Sequence, residues 1–600
     1  MKRKIIVLLL IIAVFFSVIS LPVSAAQAEG MDFAYRVKGG TVNSVDDLIK
    51  AFTDIRPGKE DKVYAKKVEG KENTVELTES VILNAPIMIY SGTYKLHGRH
   101  STIYRGFAGT GSMIMLMGID EKSAGLILEN DGEGEWTNPF LTLDGNADDI
   151  PNAPGGLISV SGRATLTVNK GVVFTNSSTD TYGGAIFAEI GETGTERTPL
   201  IPTVKLNNCR IENCYAGMGG GAVGLLGYYS GTNGGTVSMK NVTLKGNHSD
   251  GGEVNGMGGA IYAEGGEVKL DGVTAENNKA HKGGVLCTFS DTEVKNCTFQ
   301  YNEALSDGGA IYCAVKEGLS GSVTVTDCIV NYNTAAFNGG AVVNNGFLTL
   351  KDMTLLMNNE AKGNGGGVYN TGSFTLEGAS LTTNTAGGIG GAVCSVGTKA
   401  QIKMKDGEMG NNSASFCSAL YSEGEFEMLG GAIGNNKGDA PHILLRSDLL
   451  IGGSAFVQND TIGLCVTETD EGKFYPCIII DSKMTATVKQ SVGYYSERLD
   501  DDGNLKGLKK ATKNGLFVVL GNNAEVARAD EIFEMKSRGL LSYKLTDEGV
   551  TSVRFIFLPV WAWMIILAAA VIALCVIFRK QIVRLVMCIR QRIAPVKVKK

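Results

Sequence analysis

An all-β chain wound as a parallel β-helix is the fold class this sequence predicts, and three observations predict it. Gly supplies 79 of 600 residues but Pro only 12, a Gly excess without the Pro excess of disordered chains. A Gly-Gly-small-apolar signature recurs eight times along the middle of the chain. A second signature, apolar-x-x-Asn, keeps the same beat. Self-similarity at a fixed period of this length marks a solenoid, in which no unit buries its own apolar face and stacking neighbours close a shared core.

The first residues read as an export signal. Lys2, Arg3 and Lys4 precede an apolar run at 5–16, and Ala26-Gln27-Ala28 fits the small-residue cleavage pattern. We therefore assign 1–28 to a signal peptide. Residues 29–74 form an N-terminal cap. In it Ser44-Val45-Asp46-Asp47 opens a short apolar-periodic stretch through Leu48, Ile49 and Phe52, the pattern of an N-capped helix.

Residues 75–440 carry the repeat. The third position of the Gly-Gly signature falls at Ala185, Ala222, Ala260, Val285, Ala310, Ala341, Gly367 and Ala392. The base step is about 25 residues, with extra residues in the early copies. A unit of that length with short alternating runs such as 321–327 reads as two or three short strands with tight corners. Paired Gly suits corners that need positive φ and close approach. The Asn column reads Leu244…Asn247, Ala275…Asn278, Phe299…Asn302, Val330…Asn333, Leu355…Asn358, Leu381…Asn384, Met409…Asn412 and Ile433…Asn436. Asn tolerates the left-handed region and stacks its amides along an axis, so both properties are expected of these residues.

The GGA(I/V/L) and FxxN signatures together resemble the repeats of the polymorphic outer-membrane protein adhesins, with Phe299-Gln300-Tyr301-Asn302 matching the second motif in full. The likeness spans roughly 165–440. It implies a right-handed parallel β-helix displayed outside the cell and used in adhesion. The C-terminus departs from that family, because no series of alternating barrel strands follows.

Residues 441–554 lose the Gly-Gly signature but keep strand runs at 443–445, 478–480 and 516–520. They read as degenerate rungs or a C-terminal β cap. Residues 555–578 are uncharged over 24 positions, enough for one transmembrane helix, with Trp561 and Trp563 near its outer end. The tail 579–600 holds eight Lys and Arg and no acid, which places it in the cytoplasm. The expected location is the cell membrane, single-pass, with the N-terminal ectodomain outside. The formal net charge is -6 with both ends basic, so the middle is acidic. That excludes nucleic acid as a partner, since phosphate binding needs a basic footprint.

Ten Cys lie ahead of residue 555. Cys209, Cys297 and Cys328 fall in the slot held elsewhere by Val242, Val273, Met353 and Ala379, an interior apolar column. Cys287 and Cys394 share a column with Tyr262 and Tyr369. Cys465 and Cys477 are the better disulfide candidates. No C-x-x-C occurs, so no metal site is expected, and no cofactor.

The β-helix also carries pectate lyases and polygalacturonases, so fold alone does not decide function. Such enzymes need clustered carboxylates at the sugar bond or holding Ca²⁺. The repeat shows no acidic column. The densest cluster is Asp144, Asp148 and Asp149, read as a turn with solvated carboxylates. No catalytic residue is nominated. The expected function is adhesin-like binding of a glycan or a host or neighbour surface protein, without catalysis. A membrane-tethered polysaccharide lyase or glycoside hydrolase is the alternative. Insertions at 189–202, 225–235 and 249–256, with Tyr228 and Tyr229 in the second, are the expected binding face.

Overall fold

The computed structural model describes residues 34–554, apart from 110, 120, 130–138, 148–155, 193–198, 228–233, 253–255, 470–471, 481–489, 500–504, 512–514, 521–532, 536–540 and 547–548. The signal segment 1–28, the transmembrane segment 555–578 and the basic tail therefore lie outside the described residues. Among the described residues no helix is long and apolar enough to cross a membrane.

One rung shows how the unit is built. Ser322–Thr326 and Ile329–Asn331 lie on a first sheet, Thr334–Ala335 on a second and Val342–Asn344 on a third. The next rung repeats this with Phe347–Lys351, Leu355–Met357, Glu360–Ala361 and Val368–Asn370. Pairing between them is parallel and in register: Val323 opposite Leu348, Ile329 opposite Leu355, Ala335 opposite Ala361, Val342 opposite Val368. We call the three sheets I, II and III. This is a parallel β-helix, with rungs about 4.8 Å apart. Sheet II is a 9-stranded ladder from Ser178–Thr179 to Ser413–Phe416. Sheet III runs from Gly40–Val42 to Phe533–Met535.

The alternation of strand residues explains the core. In Ser322–Thr326, Val323 and Val325 are buried while the Ser and Thr face out. Each inward position becomes a column along the axis. Phe174, Ile211, Leu244, Ala275, Phe299, Val330, Leu356, Leu381 and Met409 form one such column, every member fully buried or nearly so. The small Ala275 lies beside the large Phe299 in that column, so neighbouring rungs share volume. Each large member contributes about 1.5–3 kcal/mol by leaving water.

One rung departs from the sequence-based register. Thr326 pairs with Lys351 and Ile329 with Leu355, so one extra residue enters the second rung between its two sheet I strands. Met353 is squeezed outward and is 77% exposed, while Thr354 takes the interior slot beside Cys328. Leu356, not Leu355, is the buried residue, and Asn359, not Asn358, is the buried amide. A fixed period does not see a single inserted residue.

The N-terminal segment differs in a similar way. Parallel pairing begins earlier than residue 75, because Tyr35–Val37 pairs with Val81–Leu83 and Gly40–Val42 with Ile87–Ile89. The cap is thus an insertion into the first rung. Its helix is Val45–Lys50 with Ser44 as N-cap, whose hydroxyl accepts from the Asp47 N–H at 3.1 Å. Leu48 and Phe52 are buried beneath it.

A polar cluster ties this cap to the stack. Asp54 accepts from Arg56 Nη2 at 2.6 Å and from Tyr64 Oη at 2.7 Å, and Tyr35 stacks on Tyr64 at 4.4 Å. The Arg56 guanidinium beside Asp54 holds its carboxyl well below the usual carboxylate range. A depressed folded value gives stability that is present above the unfolded value near 4 and is lost progressively as pH falls from there towards the folded value. We predict that the cap loosens below about pH 4 and that Asp54→Asn removes this acid sensitivity. Hydrogen exchange of the Phe52 and Tyr64 amides across pH 3–7 checks it. Protection factors, corrected for the intrinsic rate at each pH, that are equal at both ends would sink it.

Past residue 440 the parallel register persists: Leu420 opposite Ile443, Ile443 opposite Ile462, Ile462 opposite Val492, and Ile478 opposite Val518. The end is antiparallel. Gly549–Arg554 pairs antiparallel with both Gly515–Leu520 and Leu541–Thr546.

Candidate binding surface

The corners of the rung set what the outside of the stack presents. At the corner between sheets I and II, Asn247, Asn278, Asn302, Asn333, Asn359, Asn384, Asn412 and Asn436 stack with their side chains buried. The Asn333 side chain shows the pattern. Its Oδ1 accepts from the Asn302 backbone N–H at 3.0 Å and from Asn302 Nδ2 at 2.9 Å. Its Nδ2 donates to Phe299 O and to Asn359 Oδ1, both at 3.0 Å. Every amide hydrogen and the carbonyl are used, as a buried amide requires. The ladder ends at Asp460, which accepts from the Asn436 backbone N–H at 3.1 Å and from Nδ2 at 2.6 Å. His442 Nδ1 stands 3.8 Å from the same carboxylate, and burial raises the Asp460 carboxyl.

The left-handed conformation belongs to the residue before each ladder Asn, which separates two roles the sequence reading gave to one residue. Gly246, Asn277, Asn358, Asn411 and Asn435 have φ of +53° to +62°. Tyr301, Tyr332 and Thr383 hold the same conformation, at +56°, +54° and +56°.

At the corner between sheets II and III the two glycines also divide the work. Gly308 has φ +72°. Gly309 has an ordinary φ but lies under the next rung, where a Cβ would stand 2.1 Å from Gly340 O. The small apolar residue that follows, Ala310, is fully buried.

The third corner, from sheet III back to sheet I, takes the insertions. It carries the hairpins Gly191–Glu192 with Pro199–Leu200, Val315–Lys316 with Leu319–Ser320, and Thr467–Thr469 with Gly472–Phe474. The 189–202 and 225–235 insertions belong to this corner. The 249–256 insertion does not: it follows the sheet II strand His248–Ser249, so the three do not share one corner. Tyr228 and Tyr229 lie outside the described residues.

The outward face of sheet III is covered in two places. Tyr262, Cys287, Tyr312, Val343, Tyr369, Cys394, Tyr421 and Leu444 form one column along it. Cys287 and Cys394 are therefore not core residues but members of two small outer clusters. Over the first, Lys316 pairs with Glu264 at 2.6 Å, and Tyr262 Oη donates to the same carboxylate at 2.5 Å. Over the second, the hairpin of Gln490–Leu499 with Leu505–Ala511 brings Glu497 to 3.2 Å from Tyr421 Oη.

No disulfide joins any of the ten Cys among the described residues, the expected Cys465–Cys477 pair included; the Cys477 thiol donates instead to Asp448 Oδ1 at 3.3 Å. Cys209, Cys297 and Cys328 are interior. Burial pushes the Cys313 thiol up to about 11 and the Cys465 thiol up to about 12, which leaves both protonated and unreactive at neutral pH. Of the acidic cluster, Asp144 is buried and accepts from the Asn146 backbone N–H at 2.8 Å, the geometry of an Asx turn. Asp148 and Asp149 lie outside the described residues. Among the described residues no three His, Cys, Asp or Glu converge as metal ligands.

The comparison with curated proteins returned no match. Residues 296–314 match the sequence model of the Chlamydia polymorphic membrane protein (Chlamydia_PMP) repeat. That stretch runs from the sheet I kink at Asn296, through Phe299 and Asn302 of the core and ladder, to the Gly308-Gly309 corner and the sheet III strand Ile311–Cys313, so what the chain shares with that repeat is most of one rung of a parallel β-helix.

Proposed function

We propose that this chain is an adhesin-like protein of the bacterial surface, a stiff rod that binds its partner without catalysis. The observation that carries the reading is the matched repeat at 296–314, set in register within a ladder of like rungs. A stack closed by a continuous amide ladder holds its surface rigidly, as a display scaffold must. The corner from sheet III to sheet I varies in length from rung to rung, which is where a solenoid places recognition loops. Export by 1–28 and anchoring by 555–578, with the basic tail inside, would hold the rod at a single membrane. Partners are a host or neighbouring surface, protein or glycan.

The test has two arms. Protease treatment of intact cells should remove an epitope placed at Lys506, an exposed hairpin position, and spare one placed after residue 590. Beads coated with the full chain should then adhere to epithelial cells above an uncoated control. A protected ectodomain, or beads that never adhere, would overturn the reading.

A further inference from the structure

The left-handed position before the ladder Asn is occupied by Gly or Asn in most rungs, but by tyrosine in two consecutive ones, Tyr301 and Tyr332. A bulky side chain is an outlier in this conformation, and the backbone there favours Asn or Gly. The fold gains little from the exchange, since the two tyrosines are 54% and 46% exposed. Their rings stack on each other at 5.2 Å with an interplanar angle of 10°. Strain held for a surface feature points to function rather than to folding.

The surroundings say which kind of ligand fits. Beside the tyrosines, on the outward face of sheet I, Thr298, Ile329, Leu355 and Ser380 pair along one column. Gln300, Asn331, Met357 and Thr382 pair along the next. The exposed Ile329 and Met353 belong to the same rungs. None of these side chains is charged; the Lys and Glu of the outer surface stand at the strip's borders, Glu276 at 3.5 Å from Gln300 and Glu303 paired with Lys279. The strip covers three rung steps, about 14 Å. It interleaves aromatic and aliphatic carbon with amide and hydroxyl groups. A charged partner finds no counter-ion in it. A neutral sugar presents apolar C–H faces to aromatic rings and hydroxyls to amides, and so matches both.

We infer that the uncharged strip centred on the Tyr301–Tyr332 stack is a binding site for a neutral oligosaccharide. It deepens the adhesin-like reading above and rests on it. The site requires no catalytic group and no metal.

The experiment compares the detergent-solubilised full chain with Tyr301→Asn/Tyr332→Asn, which restores the residue common at this position. The probe is an array of neutral oligosaccharides of two to six sugars, with sialylated and sulfated oligosaccharides and immobilised matrix proteins alongside. The expected result is wild-type binding to neutral sugars, reduced at least tenfold in the double variant. The variant's thermal midpoint is expected to be equal or higher, because Asn relieves the strain. A lowered midpoint assigns the tyrosines to structure and overturns the inference. So does binding that survives the exchange, or binding confined to acidic sugars or to proteins. Bead adhesion by the wild-type chain separates the two readings: wild-type beads that adhere while the wild-type chain gives no array signal overturn the sugar site alone, and wild-type beads that do not adhere overturn the adhesin-like reading.

Discussion

Asn333→Ala is expected to destabilise the middle of the rod by on the order of 4 kcal/mol. The truncation removes the acceptor for the Asn302 backbone N–H and for Asn302 Nδ2. It also removes the donor to Phe299 O and to Asn359 Oδ1. Asn302, Asn333 and Asn359 are buried to 1% exposure or less, so the two donors left behind have no ready access to water. An unmet buried donor costs about 1–3 kcal/mol, and the effects fall on both neighbouring rungs. Asn333→Asp should be worse still. Asp suits the end of the ladder, where Asp460 accepts from both donors of Asn436; at position 333 it would face Phe299 O and Asn359 Oδ1, both acceptors. Asn358→Ala is the control. Asn358 sits in the left-handed position outside the ladder, and its loss should cost only about 1 kcal/mol. Because a solenoid unfolds in nearest-neighbour steps rather than all at once, the readout is hydrogen exchange of the Asn302, Asn333 and Asn359 amides, with guanidinium midpoints as support. Asn333→Ala behaving like Asn358→Ala would show that the ladder is decoration.

Much of this was legible in the sequence because a solenoid repeats its physics at fixed intervals. The beat of Ala260, Val285 and Ala310 places sheet III, and Val273, Cys297 and Cys328 fall in one interior column as their shared slot implies. The failures have equally local causes. A single residue inserted near Met353 shifts one rung and exchanges Leu355 for Leu356 and Asn358 for Asn359. The Asn residues look like one signal, but one member of each Asn-Asn pair, such as Asn277-Asn278, takes the positive φ and the other enters the ladder. Sequence period reports that a column exists, not which side of the sheet it faces. Cys287 and Cys394 do share a column with Tyr262 and Tyr369 as the period implies, but only the structure places that column outside sheet III, under hairpins that close over it. The candidate sugar site was the least legible. Tyr301 and Tyr332 look like ordinary members of an apolar-x-x-Asn repeat. Only the backbone angle, the exposure and the uncharged columns beside them together set them apart.

Gly309→Ala carries the other large expected effect. A Cβ at Gly309 would stand 2.1 Å from Gly340 O and 2.8 Å from the N and O of Thr334. All three are backbone atoms of the next rung, so no side chain can rotate away. The Gly309 N–H also donates to Gly339 O at 3.0 Å, which ties the two rungs together at the point where the methyl would push them apart. The rung cannot move without breaking the register of sheets II and III on either side of the corner. We expect a cost of at least about 3 kcal/mol, beyond most overpacked core substitutions. Gly507, with nothing within 4 Å of its would-be Cβ, should accept Ala within about 0.5 kcal/mol. The fault should also be visible in position. Limited proteolysis of Gly309→Ala should cut near the adjoining corner and release two fragments, while the wild-type stack resists there. A Gly309→Ala rod that resists protease and unfolds with the wild type would mean that rungs slide past this corner more freely than in-register pairing allows. The rigid-display reading would then lose its physical basis, whatever the surface binds.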